Sequence, residues 1–433
     1  MATLTGRFPA SFRTLLFMNP VWLAIYFAVF AALPHTVSDA VAFSTPDAQE
    51  YLSAGYEFHD PTLTGFSYTR PFLYPLLIRI SRGAGGAWAL WLMQLLFWLG
   101  AANLVFLALQ RAVQRNSIAV VGSLMYASNL SAIAITLHGL TETVTALLLS
   151  ALLFTIAARD PQQPVRLLHR AVLILVLLTV VKPLFYIPLL LVLAMLPFLA
   201  FGIYRQEPRR LVILALVLSP LVYQLALMKV KYNAVTVSFI TGKTLRNYLL
   251  TQGLRQTGGG TWEDAMSRAQ ALPKDEIPAH IAEHRRMYAA LLFENLQGNI
   301  EANPTYLLFP KQFAQPVLAS WMKRMNRVYY FLHVLFLLPW LAALPIARRT
   351  RNQGAWLLLL AAGLMNLYIL ATSAISFWQG DRLVLPALPV FAVLYPFVAV
   401  LLYRALSDWR NKEEGVSANQ TGLPDLQLPS HRM

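Results

Sequence analysis

A small set of ionisable side chains interrupts the apolar stretches of this sequence and could act on a charged substrate. Charged groups near a bilayer are costly and usually face a cavity or one another, so they are candidates for function. Carboxylates and cations around one outer cavity would suit an anionic substrate that requires a base, and a helix bundle can bring them together. The residues are Asp47, Glu50, Arg70, His138, Glu142, Lys182, Asp381 and Arg382.

Each candidate in the first part of the chain also has a structural interpretation. Asp47 follows Pro46 and could be the solvated N-cap of a helix at the membrane interface. Glu50 comes three residues later, where a capping-box partner belongs. Arg70 precedes Pro71 and could contact a lipid phosphate group.

The later candidates have structural alternatives of the same kind. Glu142 could cap its helix or pair with His138, and Lys182 could extend its charged end to the membrane interface. Arg382 could pair with Asp381. The position of Arg382 at the start of an apolar run, followed by Pro386 and Pro389, favours a functional role for this arginine.

The composition excludes a water-soluble globule. Of the 433 residues, 57% are apolar and only 13% are charged, whereas about a quarter of a soluble domain is charged. The chain contains no cysteine, which excludes disulfides and cysteine nucleophiles. The positive-inside rule explains the net charge of +15 without a nucleic acid partner.

The arginine clusters predict the topology. If each cluster faces the cytoplasm, an even number of spans separates consecutive clusters. The result is an all-α, polytopic transmembrane helix bundle of about ten spans with both termini cytoplasmic. The run Leu15–Leu33 is the predicted first span, and later runs fold back at 138–142, at 182–183 and at 378–382.

This topology divides the chain into four parts. Residues 1–230 form an N-terminal transmembrane region, whose first outer loop, 35–86, is the candidate catalytic loop. Residues 231–327 form an outer, periplasmic helical loop. Residues 328–405 form the C-terminal transmembrane helices, and 406–433 form a disordered cytoplasmic tail.

Local patterns predict helices in both outer loops. Phe72–Leu77 is an apolar segment that is typical of a helix lying along the interface. Thr261 is a predicted N-cap, with Asp264 in the first turn. Asp275–Asn299 is a predicted amphipathic helix that is closed by Gly298.

Motifs of soluble nucleotide and zinc enzymes are missing. The sequence contains no GxxxxGK[ST], no HExxH, and no GxGxxG after a strand. Nucleotide sugars are absent from the outer side of a membrane. Chemistry at that face therefore requires a donor that arrives through the lipid.

Four stretches carry a recognisable order of motifs. They are the acidic Pro46–Tyr51, the Arg-Pro-Phe-Leu-Tyr-Pro-Leu segment Arg70–Leu76, the pair Thr141–Glu142, and the Arg-x-x-x-Pro-x-x-Pro segment Arg382–Pro389. Together they resemble the integral-membrane (GT-C) glycosyltransferases that use polyprenyl-phosphate sugars, such as protein O-mannosyltransferases and bacterial aminoarabinose transferases. Several of these relatives carry a sizeable C-terminal outer domain, and no such domain is expected within this sequence.

The resemblance implies transfer of a sugar from a lipid-linked phosphate to a hydroxyl group, with inversion of the anomeric centre. Asp47 would be the catalytic base. Arg382 and Lys182, with Arg70, would stabilise the leaving phosphate. The other substrate-binding candidates, which would orient hydroxyl groups or line the site, are Glu50, Tyr74, His138 and Glu142.

The implied partners are a polyprenyl-phosphate-linked sugar, the lipid bilayer, and a glycan, lipid or protein acceptor. Some relatives use a divalent metal, and Asp47 with Glu50 could supply part of a Mg²⁺ or Mn²⁺ site. Two carboxylates are few ligands for such an ion, so no metal site is assigned. The expected location is a bacterial inner (plasma) membrane, with the active site facing the periplasm.

Two other functions fit the same residues. A transporter or flippase would bind the headgroup of a lipid-linked anion without chemistry, although such proteins often contain internal repeats and none is found here. A glycan ligase or polymerase at the outer face would use the same kind of donor lipid on a different fold.

Overall fold

The chain is an all-α polytopic membrane protein, as predicted. A computed structural model describes residues 10–32, 37–57, 69–160, 163–301, 335–349, 353–377 and 380–420, with a few isolated positions between 320 and 332. No β-strand occurs within these residues.

The first half of the described chain is a series of mostly apolar helices. They are α1 Ala10–Ala32, α2 Asp39–Ala42, α3 Pro46–Glu57, α4 Leu73–Val113, α5 Asn116–Ala127, α6 Leu130–Ala134, α7 Glu142–Ala157, α8 Pro164–Val181, α9 Tyr186–Gln206 and α10 Arg209–Tyr232. Short 3-10 turns follow α6 and α8, at Ile135–Leu137 and Pro183–Phe185.

The predicted outer loop and the C-terminal region are also helical. The loop contains α11 Ile240–Thr244, a π-helical turn Leu245–Leu250, α12 Thr251–Gly258, α13 Trp262–Ala271, α14 Ile277–Glu283 and α15 Arg285–Glu301. The C-terminal region contains α16 Leu337–Arg349, α17 Gln353–Ser373, 3-10 turns at Gly380–Leu383 and Leu385–Ala387, and α18 Leu388–Gln420.

Fewer of the described helices are long enough to cross a membrane than the ten that were predicted. Among the described residues, six helices are long and apolar enough to cross a membrane, and the bent pair Asn116–Ala127 with Leu130–Leu137 makes a seventh. Two shorter apolar helices, Glu142–Ala157 and Pro183–Phe198, coincide with two further predicted spans. The remaining predicted span, near 328–347, falls on residues that are described only in part, so the total of ten stays a prediction.

The local sequence explains where the helices break. The side chain of Asn129 caps α6 by accepting a backbone hydrogen bond at 2.9 Å, at a bend of 59° that the apolar pattern did not predict. Pro183 disfavours helical backbone at the preceding residue, and Lys182 is extended there, which ends α8 as predicted. Gly86, with a φ of +61°, takes up a conformation that favours glycine. It separates the segment 73–84 at the start of α4 from the long apolar part.

The core of the bundle is built around α4. This helix packs along α5 and α7, and α18 packs against all three. A Cβ atom at Gly122 of α5 would lie 2.1 Å from Leu109 Cδ1 and 2.6 Å from the carbonyl oxygen of Ala392. Because packed interiors have no space for such an overlap, glycine is required where α5, α4 and α18 meet.

The candidate residues and the predicted cytoplasmic arginines lie at opposite ends of the same helices. Glu142 is the first residue of α7, and Arg159 follows the end of that helix. α7 has 16 residues, which corresponds to about 24 Å. Arg159 shares one surface pocket with Arg111, at the end of α4, and another with Arg166 and Arg170. The two sets of charges are therefore separated along the helix axis, as the predicted topology requires.

The outer loop confirms one predicted cap and corrects one predicted helix. Thr261 caps α13 in a reciprocal capping box with Asp264, and the hydrogen bonds with Thr261 hold the pKa of Asp264 below its ordinary value. The predicted single helix Asp275–Asn299 is wrong, because α14 and α15 are separate helices that meet at His284. Gly298 does not end a helix, since α15 continues to Glu301.

The predicted tail also differs from the structure. Disorder was expected from residue 406, but α18 continues as a helix to Gln420. The segment 421–433 lies outside the described residues, as does 302–319 of the predicted outer loop.

Candidate active site

Asp47 lies in the first turn of α3 and forms ion pairs with two arginines from distant parts of the chain. Arg70 Nη2 lies 2.5 Å from Asp47 Oδ1, and Arg382 Nη2 contacts Asp47 Oδ2. The two arginine side chains are 9% and 10% exposed. Each carboxylate oxygen therefore has its own buried cation, and the expected meeting of these early and late residues is confirmed.

Thr45, and not Asp47, caps the start of α3. Thr45 Oγ1 accepts a hydrogen bond from the backbone N–H of Ala48 at 3.2 Å. Glu50 turns to Arg70, whose Nε donates to Glu50 Oε2 at 2.9 Å. The interpretation of Asp47 and Glu50 as helix-capping residues is therefore wrong, and both carboxylates are available to the site.

Arg70 is held by an aromatic ring as well as by the carboxylates. Its Cζ lies 4.6 Å from the ring centroid of Tyr51, a cation–π contact, and its Nη1 donates to the Tyr51 hydroxyl at 3.4 Å. Burial acts to lower the pKa of Arg70, but Tyr51 and Glu50 outweigh it and raise that pKa. Burial raises the pKa of Tyr51, so its hydroxyl keeps its proton at neutral pH.

Arg382 lies in the 3-10 turn Gly380–Leu383, the first of the two turns between α17 and α18. Burial lowers the pKa of its guanidinium to about 10, which leaves the group positively charged at neutral pH. The backbone of Asp381 belongs to the same turn, but its side chain lies outside the described part of the chain. The predicted alternative of an Arg382–Asp381 pair therefore stays a prediction.

Glu142 and Lys182 form a second buried ion pair at the same end of the bundle. Lys182 Nζ lies 3.3 Å from Glu142 Oε1, and the Glu142 side chain is only 4% exposed. The other oxygen, Oε2, is buried and has no hydrogen-bond partner among the described residues. Lys182 therefore turns to Glu142 rather than simply extending its charged end to the interface. His138 Nδ1 lies 3.4 Å from Ser44 Oγ, and the predicted Glu142–His138 pair stays a prediction.

These ionic groups line a single cavity of about 540 Å³. Six of the predicted site residues are in its wall, namely Asp47, Glu50, Arg70, Glu142, Lys182 and Arg382. Hydroxyl groups make up much of the remaining polar lining, including those of Thr69, Thr141, Ser238, Thr241, Thr372 and Ser376. The cavity therefore offers cations, carboxylates and hydroxyl groups within one space.

Tyr74 and His138 are not among the residues that line this cavity, so their predicted role as lining residues is wrong. Both are fully buried behind the wall. Gln94 Nε2 donates to the Tyr74 hydroxyl at 2.6 Å and to the backbone carbonyl of His138 at 3.1 Å. The Tyr74 ring packs edge-on against Tyr51 at 5.1 Å. These residues position the wall from behind.

The prediction missed Lys243, which lines the cavity from α11 in the outer loop. Four cations and three carboxylates line the cavity, so its wall carries one excess positive charge. Lys243 is in none of the ion pairs found within the described residues. The sequence signal was weak: a lysine in a loop that was predicted to be outside, where the positive-inside rule does not require one.

Hydrogen bonds fasten the start of the outer loop to the segment that carries Arg70. Gln224, which is fully buried in α10, accepts from the backbone N–H of Phe72 at 3.0 Å and donates to the carbonyl of Val237 at 2.7 Å. Ser238 Oγ donates to the carbonyl of Thr69 at 2.8 Å. Buried, fully paired polar groups of this kind fix the relative position of two segments.

The carboxylates Asp47 and Glu50 do not fit a divalent metal ion in this arrangement. Arg70 Nη2 lies 2.5 Å from Asp47 and 2.8 Å from Glu50, so a guanidinium already bridges the two groups. A shared cation would bind in the same place. Among the described residues, three other metal-ligating side chains come close together in the outer loop, away from this cavity: His280, Glu283 and His284.

Among known proteins, the chain has a structural match and no match by sequence. No family model matches the chain, and no curated protein matches it. Among solved structures, the chain is similar to ArnT from Cupriavidus metallidurans bound to undecaprenyl phosphate, with a TM-score of 0.46 and 13% identity. The match covers 90% of this chain and 60% of that one.

Proposed function

We propose that the chain is a membrane glycosyltransferase that moves a sugar from a polyprenyl-phosphate donor to a hydroxyl acceptor at the outer face of the membrane. The observation that carries this proposal is the placement of Asp47 between Arg70 and Arg382 in the wall of a cavity with excess positive charge. A base beside phosphate-binding cations is the combination that this reaction requires.

The reaction begins with an exchange of ion-pair partners. As found, both oxygens of Asp47 are engaged by guanidinium groups, and an engaged carboxylate is a poor proton acceptor. The donor phosphate takes Arg382 as its partner and so releases Asp47 Oδ2. Arg70 continues to hold Oδ1, which orients the carboxylate toward the acceptor.

In the transfer step, the acceptor hydroxyl gives its proton to Asp47 as its oxygen bonds to the anomeric carbon of the sugar. The bond between that carbon and the phosphate oxygen breaks, and its electron pair leaves with the lipid phosphate. Attack opposite the leaving group inverts the anomeric centre. The departing phosphate needs positive charge rather than a proton donor, and Arg382 and Lys182 supply that charge. Lys243 attracts the donor phosphate into the cavity.

The two remaining carboxylates have supporting roles. Glu50 accepts from Arg70 and so fixes the side chain that orients Asp47. Glu142 has one oxygen on Lys182 and a second without a partner among the described residues. That free oxygen is suited to accept a hydrogen bond from a sugar hydroxyl.

The decisive experiment supplies radiolabelled polyprenyl-phosphate sugars and a membrane extract to the purified protein. Labelled product that forms with the intact chain and not with Asp47→Asn supports the proposal. The competing transporter function predicts that label crosses vesicle membranes while remaining on its original lipid, with or without Asp47. That result would replace the enzyme by a carrier.

A further inference from the structure

A second cavity, of about 510 Å³, lies in the outer loop next to the candidate active site. Its wall combines two aromatic rings with amide and charged side chains. The residues that matter here are Gln252, Arg255, Gln256, Trp262, Glu294 and Phe377. They come from α12, α13 and α15, and from the segment that follows α17.

A line of aromatic rings joins this cavity to the active-site cavity. Tyr248 lines the active-site cavity, and its ring meets that of Phe377 edge-on at 5.5 Å. Phe377 in turn meets Trp262 edge-on at 5.3 Å, and both of these rings line the second cavity. The two cavities are therefore linked by three rings in contact, of which Tyr248 lines the first cavity and Phe377 and Trp262 line the second.

The chemistry of the second cavity differs from that of the first. Arg255 and Glu294 are the charged residues in its described wall, so the wall has no net charge and is not suited to an isolated phosphate. Gln252 and Gln256 supply amide donors and acceptors. Aromatic faces beside planar polar groups suit a sugar ring, because its C–H face packs on an aromatic ring while its hydroxyls hydrogen-bond at the edges.

Buried hydrogen bonds hold this cavity in shape. Asn295 is 4% exposed, and its Nδ2 donates to Gln252 Oε1 at 3.0 Å and to the carbonyl of Ala374 at 3.2 Å. Asn299, fully buried one turn later, donates to the carbonyls of Ser373 and Ser376. These bonds fasten α15 to the end of α17, and so fix Phe377 beside the outer loop.

We propose that the acceptor of the reaction is a glycan and that this second cavity binds it. The inference rests on the proposed glycosyl transfer. The terminal sugar packs on Trp262 and Phe377, and its reactive hydroxyl reaches past Tyr248 into the cavity that holds Asp47. The donor thus occupies the cavity on the Tyr248 side of these three rings, and the acceptor occupies the cavity on the side of Phe377 and Trp262.

The test separates acceptor binding from donor binding. A detergent extract of membranes from cells that lack this gene serves as the acceptor, both untreated and after mild periodate oxidation, which cleaves the vicinal diols of glycans. Label transfer from a polyprenyl-phosphate sugar is measured against extract concentration and, separately, against donor concentration.

Trp262→Ala and Phe377→Ala are expected to raise the half-saturating extract concentration about tenfold, the effect of losing one aromatic contact of about 1.4 kcal/mol. The half-saturating donor concentration should not change. Trp262→Phe should restore most of the affinity, and Gln256→Ala, at an exposed position, should weaken acceptor binding without disturbing the fold. Phe293→Ala is the matched control, because Phe293 is an exposed aromatic residue of the same loop outside the cavity wall.

Three results would overturn the proposal. One is an unchanged half-saturating extract concentration in the Trp262, Phe377 and Gln256 variants; another is an increase in the half-saturating donor concentration. The third is full acceptor activity after periodate oxidation, which would exclude a glycan. A complete absence of transfer by the intact chain would instead contradict the proposed function, so the two failures are distinguishable.

Discussion

Asp47 and Arg382 lie 335 positions apart in the chain and form a partly buried ion pair. Asp47 is in the first turn of α3 and Arg382 is in the 3-10 turn Gly380–Leu383, so neither belongs to a long apolar helix. The bundle holds these two short segments together at the end of the molecule that lies away from the arginine cluster around Arg159. The pair therefore joins the beginning and the end of the chain at the candidate active site.

The first prediction concerns Asp47→Asn. This change keeps the shape of the side chain but removes its ability to accept a proton, so label transfer should fall by about 10²–10⁴-fold, the usual contribution of a general base. Donor binding should be retained, because the variant removes a negative charge that competes with phosphate for Arg382. The two effects are measured as the initial rate of transfer and as retention of labelled donor on purified protein.

Arg382→Ala provides the complementary result. It should lower the rate and also weaken donor binding, since Arg382 contacts the phosphate in the proposed mechanism. A rate for Asp47→Asn within tenfold of the unchanged protein would show that Asp47 is not the base, whatever the result with Arg382.

The second prediction concerns Lys243, the cation outside the ion pairs described. Lys243→Ala should raise the half-saturating donor concentration while changing the maximal rate little, because an exposed lysine that binds phosphate acts mainly on the binding of the donor. High salt should reduce the difference between the variant and the unchanged protein. Lys274→Ala, at an exposed lysine of the same loop outside the cavity, is the control. Equal effects of the two variants would show that only the general charge of the loop matters.

The sequence was sufficient to predict the helical bundle, because apolar runs long enough to cross a bilayer admit few other structures. Lys182–Pro183 was correctly placed at a turn, since the effect of proline on the preceding residue is local. The bend at Asn129 and the separation of α14 from α15 at His284 were missed. Both interrupt runs whose composition is compatible with continuous helix.

In the candidate site too, the sequence predicted features that depend on residue type and local position, and it missed features that depend on tertiary packing. Asp47, Arg70 and Arg382 were identified because unexplained charges near spans are rare. Tyr74 and His138 were placed wrongly, because the sequence does not show that Gln94 bonds both from behind the wall. Lys243 was missed because its position depends on how the outer loop folds back, through Gln224 and Ser238, over the segment that carries Arg70.

The third prediction concerns metal ions. Arg70 bridges the carboxylates that a divalent ion would need. After EDTA treatment, the rate of transfer should therefore remain within about twofold of the rate of the untreated protein. Arg70→Ala should lose transfer, and Mg²⁺ or Mn²⁺ should not restore it. Loss of activity with EDTA, recovered on addition of one of these ions, would contradict this account and would require the arginine to move aside.

The fourth prediction concerns the stability of the Glu142–Lys182 pair. Lys182→Met would leave Glu142, which is 4% exposed, as a buried charge without a cation. The cost should be about 3–5 kcal/mol in the free energy of unfolding. Glu142→Gln combined with Lys182→Met removes the stranded charge and should regain at least half of that loss. Unfolding in detergent without donor measures all three proteins.

The matched control for this pair is the exposed ion pair of Arg210 with Glu207. Arg210→Ala should change the free energy of unfolding by less than about 1 kcal/mol, because water and salt screen an exposed pair. A double variant at 142 and 182 that is no more stable than Lys182→Met would contradict the prediction. It would mean that Lys182 stabilises the fold through packing of its aliphatic chain rather than by compensating the charge of Glu142.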